Sequence, residues 1–377
     1  MKTFMMLVLL FICYIPTLII AAITPYITRK TESFGVSIPE EEYSNSEVQL
    51  IRRNYRNRIL IFGGFLSTLA LLLALMDPSD RTALFLPGGT FVLLFLMFVF
   101  YWDGHKKMKE LKKKYNWMGE KTQLVVVDTG FRNKKVMASP LWFMLYLMVI
   151  LATVALGFAL YDKLPDQVAM HWNINGEVDR WAPKSYKTVL WAPLVQIFMT
   201  FIMAYSYWVI GKSKQLIDPS TPEKSAEQNR TFRYRWSVFT IVTGFLFVLL
   251  FGFMQFLSYG YVKNSWIIIG LPLALGLGVA AASIILSITT GQGGSRVYQK
   301  EVKVGEKTES KVVSRDEDRF WKLGLFYYNP DDPAFIVEKR FGVGWTNNWA
   351  RPISWVITIG LFAAIFVFSI VTTLMTK

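Results

Sequence analysis

The chain has 377 residues, 53% hydrophobic and 16% aromatic, and a formal net charge of +14. A soluble domain of this length has too little interior to hide so much apolar surface. The apolar residues also fall in uncharged blocks of about 18–24 residues, the length of helix that crosses a hydrocarbon core of about 30 Å, so composition excludes a soluble enzyme and points to a polytopic membrane protein.

The predicted architecture is an all-α integral membrane protein with eight transmembrane helices and a small cytoplasmic α+β module. In chain order the spans are Phe4–Ile23, Ile59–Met76, Leu84–Tyr101, Pro140–Leu160, Val189–Ile210, Trp236–Leu257, Trp266–Ile288 and Ile353–Met375. Continuous apolarity on every face selects helix over barrel strand. Tyr101, Trp236, Trp266 and Trp355 sit at span ends, where rings anchor at the headgroup level. The first span reads as a retained anchor, because it is too long for a signal-peptide core and the Arg29-Lys30 pair behind it opposes translocation. Cys13, in that span, is the single cysteine, so neither a disulfide framework nor a cysteine-type zinc cluster is available.

Between the spans, Ser44 and Glu47 have capping-box spacing, which predicts a helix running into the second span. The sequence DGHKKMKELKKKY extends the third span as helix. Thr221 and Pro222 are suited to cap and first turn of a helix feeding the sixth. Gln123–Val127 reads as a strand. Leu325–Tyr328 and Phe335–Val337, joined by the turn-rich Asn329–Pro333, read as a hairpin. Gly291–Asp318 reads as a polar tether, and the small residues Gly270, Gly276 and Gly278 predict close helix packing by the seventh span. The triplet Phe-Gly-Val occurs at Phe34 and at Phe341 and is expected to be a chance match.

Lysine and arginine set the orientation. The nine successive segments outside the spans hold 1, 6, 1, 10, 4, 6, 1, 11 and 1 of them, so the even-numbered segments carry 33 and the odd ones 8. The positive-inside rule then puts the even segments in the cytoplasm and both termini outside. The basic balance implies contact with anionic lipid rather than nucleic acid, since the charges line membrane edges. Four regions follow: 1–139 with three spans, 140–290 with four spans and an external loop at 161–188, 291–352 as a cytoplasmic tether and hairpin module, and 353–377 as the last span.

The external loop concentrates the chemistry: LPDQVAMHWNINGEVDRW, Leu164 to Trp181. Asn175-Gly176 is a strong turn signal, so Met170–Asn173 and Glu177–Trp181 are expected to pair and bring His171 towards Asp179. Turn chemistry alone accounts for each polar residue. A preorganised hairpin also makes a recognition surface, with His171, Trp172, Asn173, Asn175, Gly176, Asp179, Arg180 and Trp181 as the candidate site. A metal or acid–base site would need His171 with Asp166, Glu177 or Asp179, and a single external histidine falls short of a usual zinc set. No cofactor or metal is therefore expected. No Asp, Glu, Lys, Arg or His falls inside any span, which speaks against a proton- or ion-coupled pump. Neither a phosphate loop nor an HExxH or GxSxG motif occurs.

The spacing LPD-x-V-x-x-HWN-x-x-GE-x-DRW-x-x-K, over roughly Met144–Lys187, resembles the signature of domain of unknown function 1648. That domain occurs in bacterial membrane proteins similar to the immunity protein against the sporulation-delaying Sdp toxin. Asp318–Pro352 is similar to a second uncharacterised domain of longer relatives, mostly Bacillus-like Gram-positives. The resemblance implies a non-enzymatic plasma-membrane protein that protects against, or senses, a secreted antimicrobial peptide outside and engages a regulator inside. The chain departs from that protein in having eight expected spans rather than about six. A transporter or a membrane metalloenzyme is the alternative. On the inner side Trp321, Tyr328, Asn329, Asp332, Arg340, Gly342 and Trp345 are the candidate docking set, and folding their own small module is the plainer role for them.

Overall fold

The computed structural model describes residues 2–76, 82–117, 136–173, 176–218, 221–261, 265–297 and 318–375, with the side chains of 2–13, 74–75, 82–87 and 265 outside the description. The predicted strand Gln123–Val127 lies outside these residues. The helices are α1 (Lys2–Ile27), α2 (Ser46–Met76), α3 (Thr82–Lys114), α4 (Phe143–Ala159), α5 (Tyr186–Lys212), α6 (Pro222–Ser258), α7 (Ser265–Thr290) and α8 (Pro352–Met375). Among the described residues seven helices are long and apolar enough to cross a membrane, and Tyr14–Ile27 of α1 adds a shorter apolar stretch. The chain is built as a multi-pass membrane protein.

Helix starts follow local chemistry. Asn45, not Ser44, caps α2: its side-chain oxygen accepts from the Glu47 amide at 2.9 Å. Ser44 instead ends a preceding 3₁₀ turn, Glu40–Ser44. Pro222 occupies the first position of α6 as expected, while the Thr221 side chain makes no capping bond. Ser185 and Thr188 form an unforeseen capping box that opens α5. Helices α2, α3 and α6 extend well beyond their apolar runs, as the helix-forming segments beside them predict.

Two bundles carry the cores. Helices α1–α3 enclose Tyr14, Leu18, Ile59 and Leu93, and α4–α6 enclose Tyr146, Ile150, Ile241 and Val248. Between α4, α5 and α6 the buried Gln196 donates to Thr153 Oγ1 (3.1 Å) and to the Val248 carbonyl (2.8 Å), and Gln255 reaches the Val189 carbonyl and Tyr259. Apart from the Gln255–Tyr259 contact at the end of α6, these bonds join different helices, as polar residues within spans do. A glycine faces each amide: Gly252 lies across from Gln196, and Gly157 leaves room for Gln255. By contrast, nothing approaches the Cβ positions of Gly270, Gly276 or Gly278 within 4 Å, so the expected close packing at these positions of α7 is not made within this chain.

Among the described residues the strands form four two-stranded antiparallel sheets: β1 (Glu32–Ser33) with β2 (Val36–Ser37), β3 (Gln167–Trp172) with β4 (Val178–Pro183), β5 (Trp321–Lys322) with β6 (Phe326–Tyr327), and β7 (Ile336–Glu338) with β8 (Trp345–Asn347). The predicted hairpin across Asn329–Pro333 is therefore wrong in its pairing. The strand before this loop turns back on Trp321, and the strand after it pairs forward with Trp345. The loop itself is held by Asx-type bonds, from the Asp331 amide to Asn329 and from the Ala334 amide to Asp332, which orient it away from a hairpin return.

Sheets β1–β2, β5–β6 and β7–β8 gather at one end of the helices, against the C-terminal ends of α1, α3, α5 and α7 and the N-terminal ends of α6 and α8. The β3–β4 hairpin caps the opposite end, where Leu164 and Val168 pack on Val189 of α5 and Tyr259 just beyond α6. This alternation of ends matches the alternation of basic and non-basic segments.

The two Phe-Gly-Val triplets meet. Phe34 stacks on Phe341 with ring centroids 5.4 Å apart, and Tyr55 and Tyr101 close the cluster. The expectation of a chance match missed a shared core. Phe34-Gly35 and Leu323-Gly324 are both turns with positive φ at each central residue, the geometry that suits two-residue hairpin loops. Gly35 lies directly on the Gly324 backbone. The Tyr101 hydroxyl spans both turns, 2.8 Å from the Leu323 carbonyl and 3.2 Å from that of Phe34. His105 Nδ1 donates to the same Phe34 carbonyl at 2.7 Å. Tyr101 is thus buried in an internal clamp, not placed at the headgroups as expected of it, whereas Trp266 and Trp355 are exposed.

A buried charge cluster ties this end together. Glu338 of β7 pairs with Arg29 after α1, accepts from Asn229 of α6 at 2.5 Å, and lies 3.9 Å from Arg233. Asp318 takes Arg340, Lys112 (2.8 Å) and the Ser37 hydroxyl (3.0 Å). Burial opposes ionisation of Asp318, but Arg340, Lys112 and the Ser37 amide outweigh it and hold the carboxyl below its usual range. Glu32 fares differently. Arg340 gives its hydrogen bond to Asp318 and stays 3.8 Å from Glu32, and Glu32 Oε2 has no partner. Burial, helped by the Glu338 and Asp318 charges and resisted by Arg340 and Arg29, pushes the Glu32 carboxyl up to about 7.

Glu32 therefore keeps its proton in the folded chain while the unfolded carboxyl ionises near 4.5. Its ionisation penalises the fold, so stability falls as pH rises from about 4.5 to about 7, by up to about 3 kcal/mol. Asp318 acts in a lower window, losing its contribution only as pH drops below 3.8. Thermal melts of detergent-solubilised protein at pH 5 and pH 8 are expected to show a decline that Glu32→Gln removes. An equal decline in the variant would show that Glu32 is not its source.

Candidate functional site

The hairpin at the opposite end forms as the turn signal predicts. Gly176 has φ +78°, which its lack of a side chain permits. Asn173 closes the turn: its amide accepts from the Glu177 backbone (3.0 Å) and donates to the Glu177 carboxylate (2.9 Å), and its backbone N–H donates to the Glu177 carbonyl (2.8 Å). Asn175 lies outside the described residues.

The register pairs Ala169 with Trp181, His171 with Arg180 and Trp172 with Val178, so an extra residue bulges on each strand, Met170 and then Asp179. Bulges re-aim neighbouring side chains. Here they set His171 Nδ1 2.6 Å from Asp179 Oδ1, with both side chains about half exposed. The pairing of His171 with Asp179 expected from the turn is thus observed. Val168, Ala169 and Ala182 are buried on the helix ends, while His171, Asp179, Arg180 and Trp181 are exposed. Lys184 closes the base, its ammonium 4.9 Å from the Tyr161 ring centroid.

Among the described residues no group of three or more His, Cys, Asp or Glu could hold a metal ion. Glu177 is engaged with Asn173 and Asp179 with His171, so the ligand set the metalloenzyme alternative requires does not converge. What the hairpin does roof is a cavity of ≈ 610 Å³, lined by Met170, His171, Trp172, Asn173 and Arg180 above and by α5, α6, α7 and α8 below. That volume lies within the roughly 300–1,000 Å³ range of small-molecule sites. No sequence pattern announces the cavity, because its walls come from four helices far apart in the chain.

The inner set is placed differently. Trp321, Asn329, Asp332 and Arg340 are buried, Gly342 and Trp345 are partly buried, and Tyr328 alone is half exposed. Their polar groups are spent within the chain: Asp332 binds Lys214 (2.6 Å) and the Tyr327 hydroxyl (2.9 Å), the Gly342 amide donates to Thr28, and Arg340 lies over the Trp321 ring. Burial resists ionisation of Asp332, but Lys214, the Ala334 amide and Tyr327 outweigh it and lower its pKa. These residues dock the module onto the chain's own helix ends. The residues missed in the sequence are Arg29, Glu32, Asn229, Arg233, Gln292 and Glu338. Gly291–Val297 falls within the stretch expected to be a tether, but Gln292 is wholly buried, bonded twice to Gly344, and Gly294 lies on the Gln228 backbone.

Residues 148–197 match DUF1648, a domain of unknown function, and residues 330–355 match DUF5808, a family of unknown function. No curated protein and no solved structure matches the chain. The first match runs from α4 through the hairpin into α5, and the second covers the Asn329 loop, β7, β8 and the start of α8. The chain therefore carries a DUF1648 domain centred on the capping hairpin, and a DUF5808 segment within the clamp at the other end.

Proposed function

We propose that this chain is a plasma-membrane recognition protein whose hairpin faces outward and engages a secreted antimicrobial peptide, either to protect the cell or to sense the peptide. The observation that carries this reading is the hairpin itself: a rigid double-bulged strand pair with Trp181, Arg180 and His171 exposed above an apolar cavity. A tryptophan, an arginine and a histidine on a preformed scaffold are the residue types that anchor peptide interfaces at low ordering cost. The distribution of lysine and arginine supports the orientation, and the resemblance of the loop to the Sdp-type immunity proteins supports the peptide class. The clamp at the cytoplasmic end would be where a regulator reads the occupied state, with the half-exposed Tyr328 as its accessible contact.

Orientation is tested by exchanging Cys13 for alanine and placing a cysteine at Glu177. A membrane-impermeant maleimide is expected to label intact cells, and labelling only after lysis overturns the outward assignment. Function is tested by challenging cells that do or do not express the chain with a panel of secreted peptides. Expression is expected to raise survival, and the His171→Ala/Trp181→Ala variant to lose most of that gain at unchanged membrane level. Equal survival with and without the chain across the panel defeats the reading.

A further inference from the structure

We propose that the cavity under the hairpin is a binding site for an anionic phospholipid, one acyl chain filling the space between α6 and α7 and the phosphate held by Arg180. Depth is the first ground. The walls include Phe251 and Met254 of α6 and Ile269 and Leu273 of α7. Leu273 lies eight residues into α7, which at about 1.5 Å per residue places the floor about 12 Å below the helix end. A cavity that begins under the capping hairpin and reaches that far extends into the hydrocarbon layer of a bilayer about 30 Å thick.

Such a space has one natural occupant. Its lower walls are apolar and offer water too few hydrogen-bond partners to be filled by it. Leaving it empty forfeits the dispersion contacts of every side chain around it. Phe251 and Met254 stand on the helix that packs against α4 and α5, yet both keep partial exposure, and the cavity is where it falls. An acyl chain supplies the missing contacts without entering the protein from water.

Charge is the second ground. Among the charged and titratable groups of the roof, His171 is bonded to Asp179, whereas the Arg180 guanidinium makes no ion pair or hydrogen bond among the described residues. Glu177, the other nearby carboxylate, is turned to Asn173. An unpaired guanidinium at the mouth of an apolar cavity complements a phosphate, which it can hold through two parallel N–H bonds. Trp181 beside it is half exposed, the placement of a ring at headgroup level. This site shares Arg180 with the surface proposed to meet a peptide, but its test reads lipid binding with no peptide present, so the two readings fail separately.

The test is native mass spectrometry of delipidated full-length protein in a non-ionic detergent, titrated in parallel with phosphatidylglycerol, phosphatidylcholine and glycerol phosphate. Phosphatidylglycerol is expected to add saturably at one molecule per chain and more tightly than phosphatidylcholine, with no adduct of the headgroup alone. Arg180→Gln is expected to weaken phosphatidylglycerol about tenfold and leave phosphatidylcholine unchanged, and Arg180→Lys to recover part of the loss. Leu273→Trp, which fills the cavity, is expected to weaken both lipids. Thermal melts of each variant check that it folds. Equal binding of phosphatidylglycerol by the wild type and Arg180→Gln overturns the assignment of the phosphate. Unchanged binding by a folded Leu273→Trp overturns the assignment of the chain, and leaves the cavity to an apolar segment of a peptide.

Discussion

Glu338→Ala is expected to be among the most destabilising single substitutions in the chain, at about 3–5 kcal/mol. The Glu338 side chain is 2% exposed and serves Arg29, Arg233 and Asn229 together. Removing one partner of a buried pair leaves the other charge dehydrated and uncompensated, which costs far more than the pair itself contributes. Arg233 is cushioned, because the carbonyls of Ile210, Ser213 and Lys214 accept hydrogen bonds from its guanidinium. Arg29 is the group left most exposed to the loss, since its Nε already lacks a partner. Glu338→Gln keeps the shape and the bond to Asn229, so it is expected to fall between wild type and alanine. In Arg29→Met/Glu338→Met the unpaired charge at α1 disappears, and much of the stability is expected to return. Thermal unfolding of the four proteins in one detergent decides the matter. A melting temperature for Glu338→Ala close to that of the wild type would show that the carboxylate does not hold the helix ends together.

Gly35→Ala is the second large effect. At φ +74° an alanine is strained by about 1–2 kcal/mol, and its Cβ would stand 2.6 Å from the Gly324 Cα. That neighbour is backbone, which cannot rotate aside as a side chain can. Overpacking adds about 1–3 kcal/mol, so the total is about 3 kcal/mol and the two turns must part. Gly260 supplies the control, with φ +79° and nothing within 4 Å of its Cβ position. Gly260→Ala carries the strain without the collision. Gly35→Ala is therefore expected to lower the melting temperature clearly more than Gly260→Ala does, and to open the Tyr101 clamp to protease. Equal shifts for the two variants would mean that the turns do not bear on each other.

What was legible in the sequence was whatever depends on neighbours along the chain. Apolar runs gave the helices, Asn175-Gly176 gave the β3–β4 pairing, and the same turn spacing brought His171 to Asp179. The two span glutamines reach other helices because a lone amide in an apolar run has few other options. The failures share one cause. Gln292, Glu338 and Arg29 look like ordinary loop residues, since their partners lie 52, 109 and 309 positions away. The Asn329–Pro333 loop was given hairpin strands because both flanks are β-formers, yet Asn348 holds it from elsewhere, accepting from the Asn329 amide and donating to the carbonyls of Asn329, Asp332 and Ala334. A short apolar run on its own does not say which strand it will meet.

The clamp joins residues near Arg29 to residues near Glu338, and this imposes an order on biosynthesis. When α1–α6 leave the ribosome, Arg29, Glu32 and Arg233 are still hydrated, because the carboxylate that closes over two of them has not been made. Helices α1–α7 all precede the stretch ahead of α8 that locks their ends, so the two bundles are completed by one of the latest parts of the chain to be translated. Until Glu338 is made, Arg29 and Arg233 lack the carboxylate that joins them, so the ends of α1 and α6 stay chemically unmatched through most of synthesis.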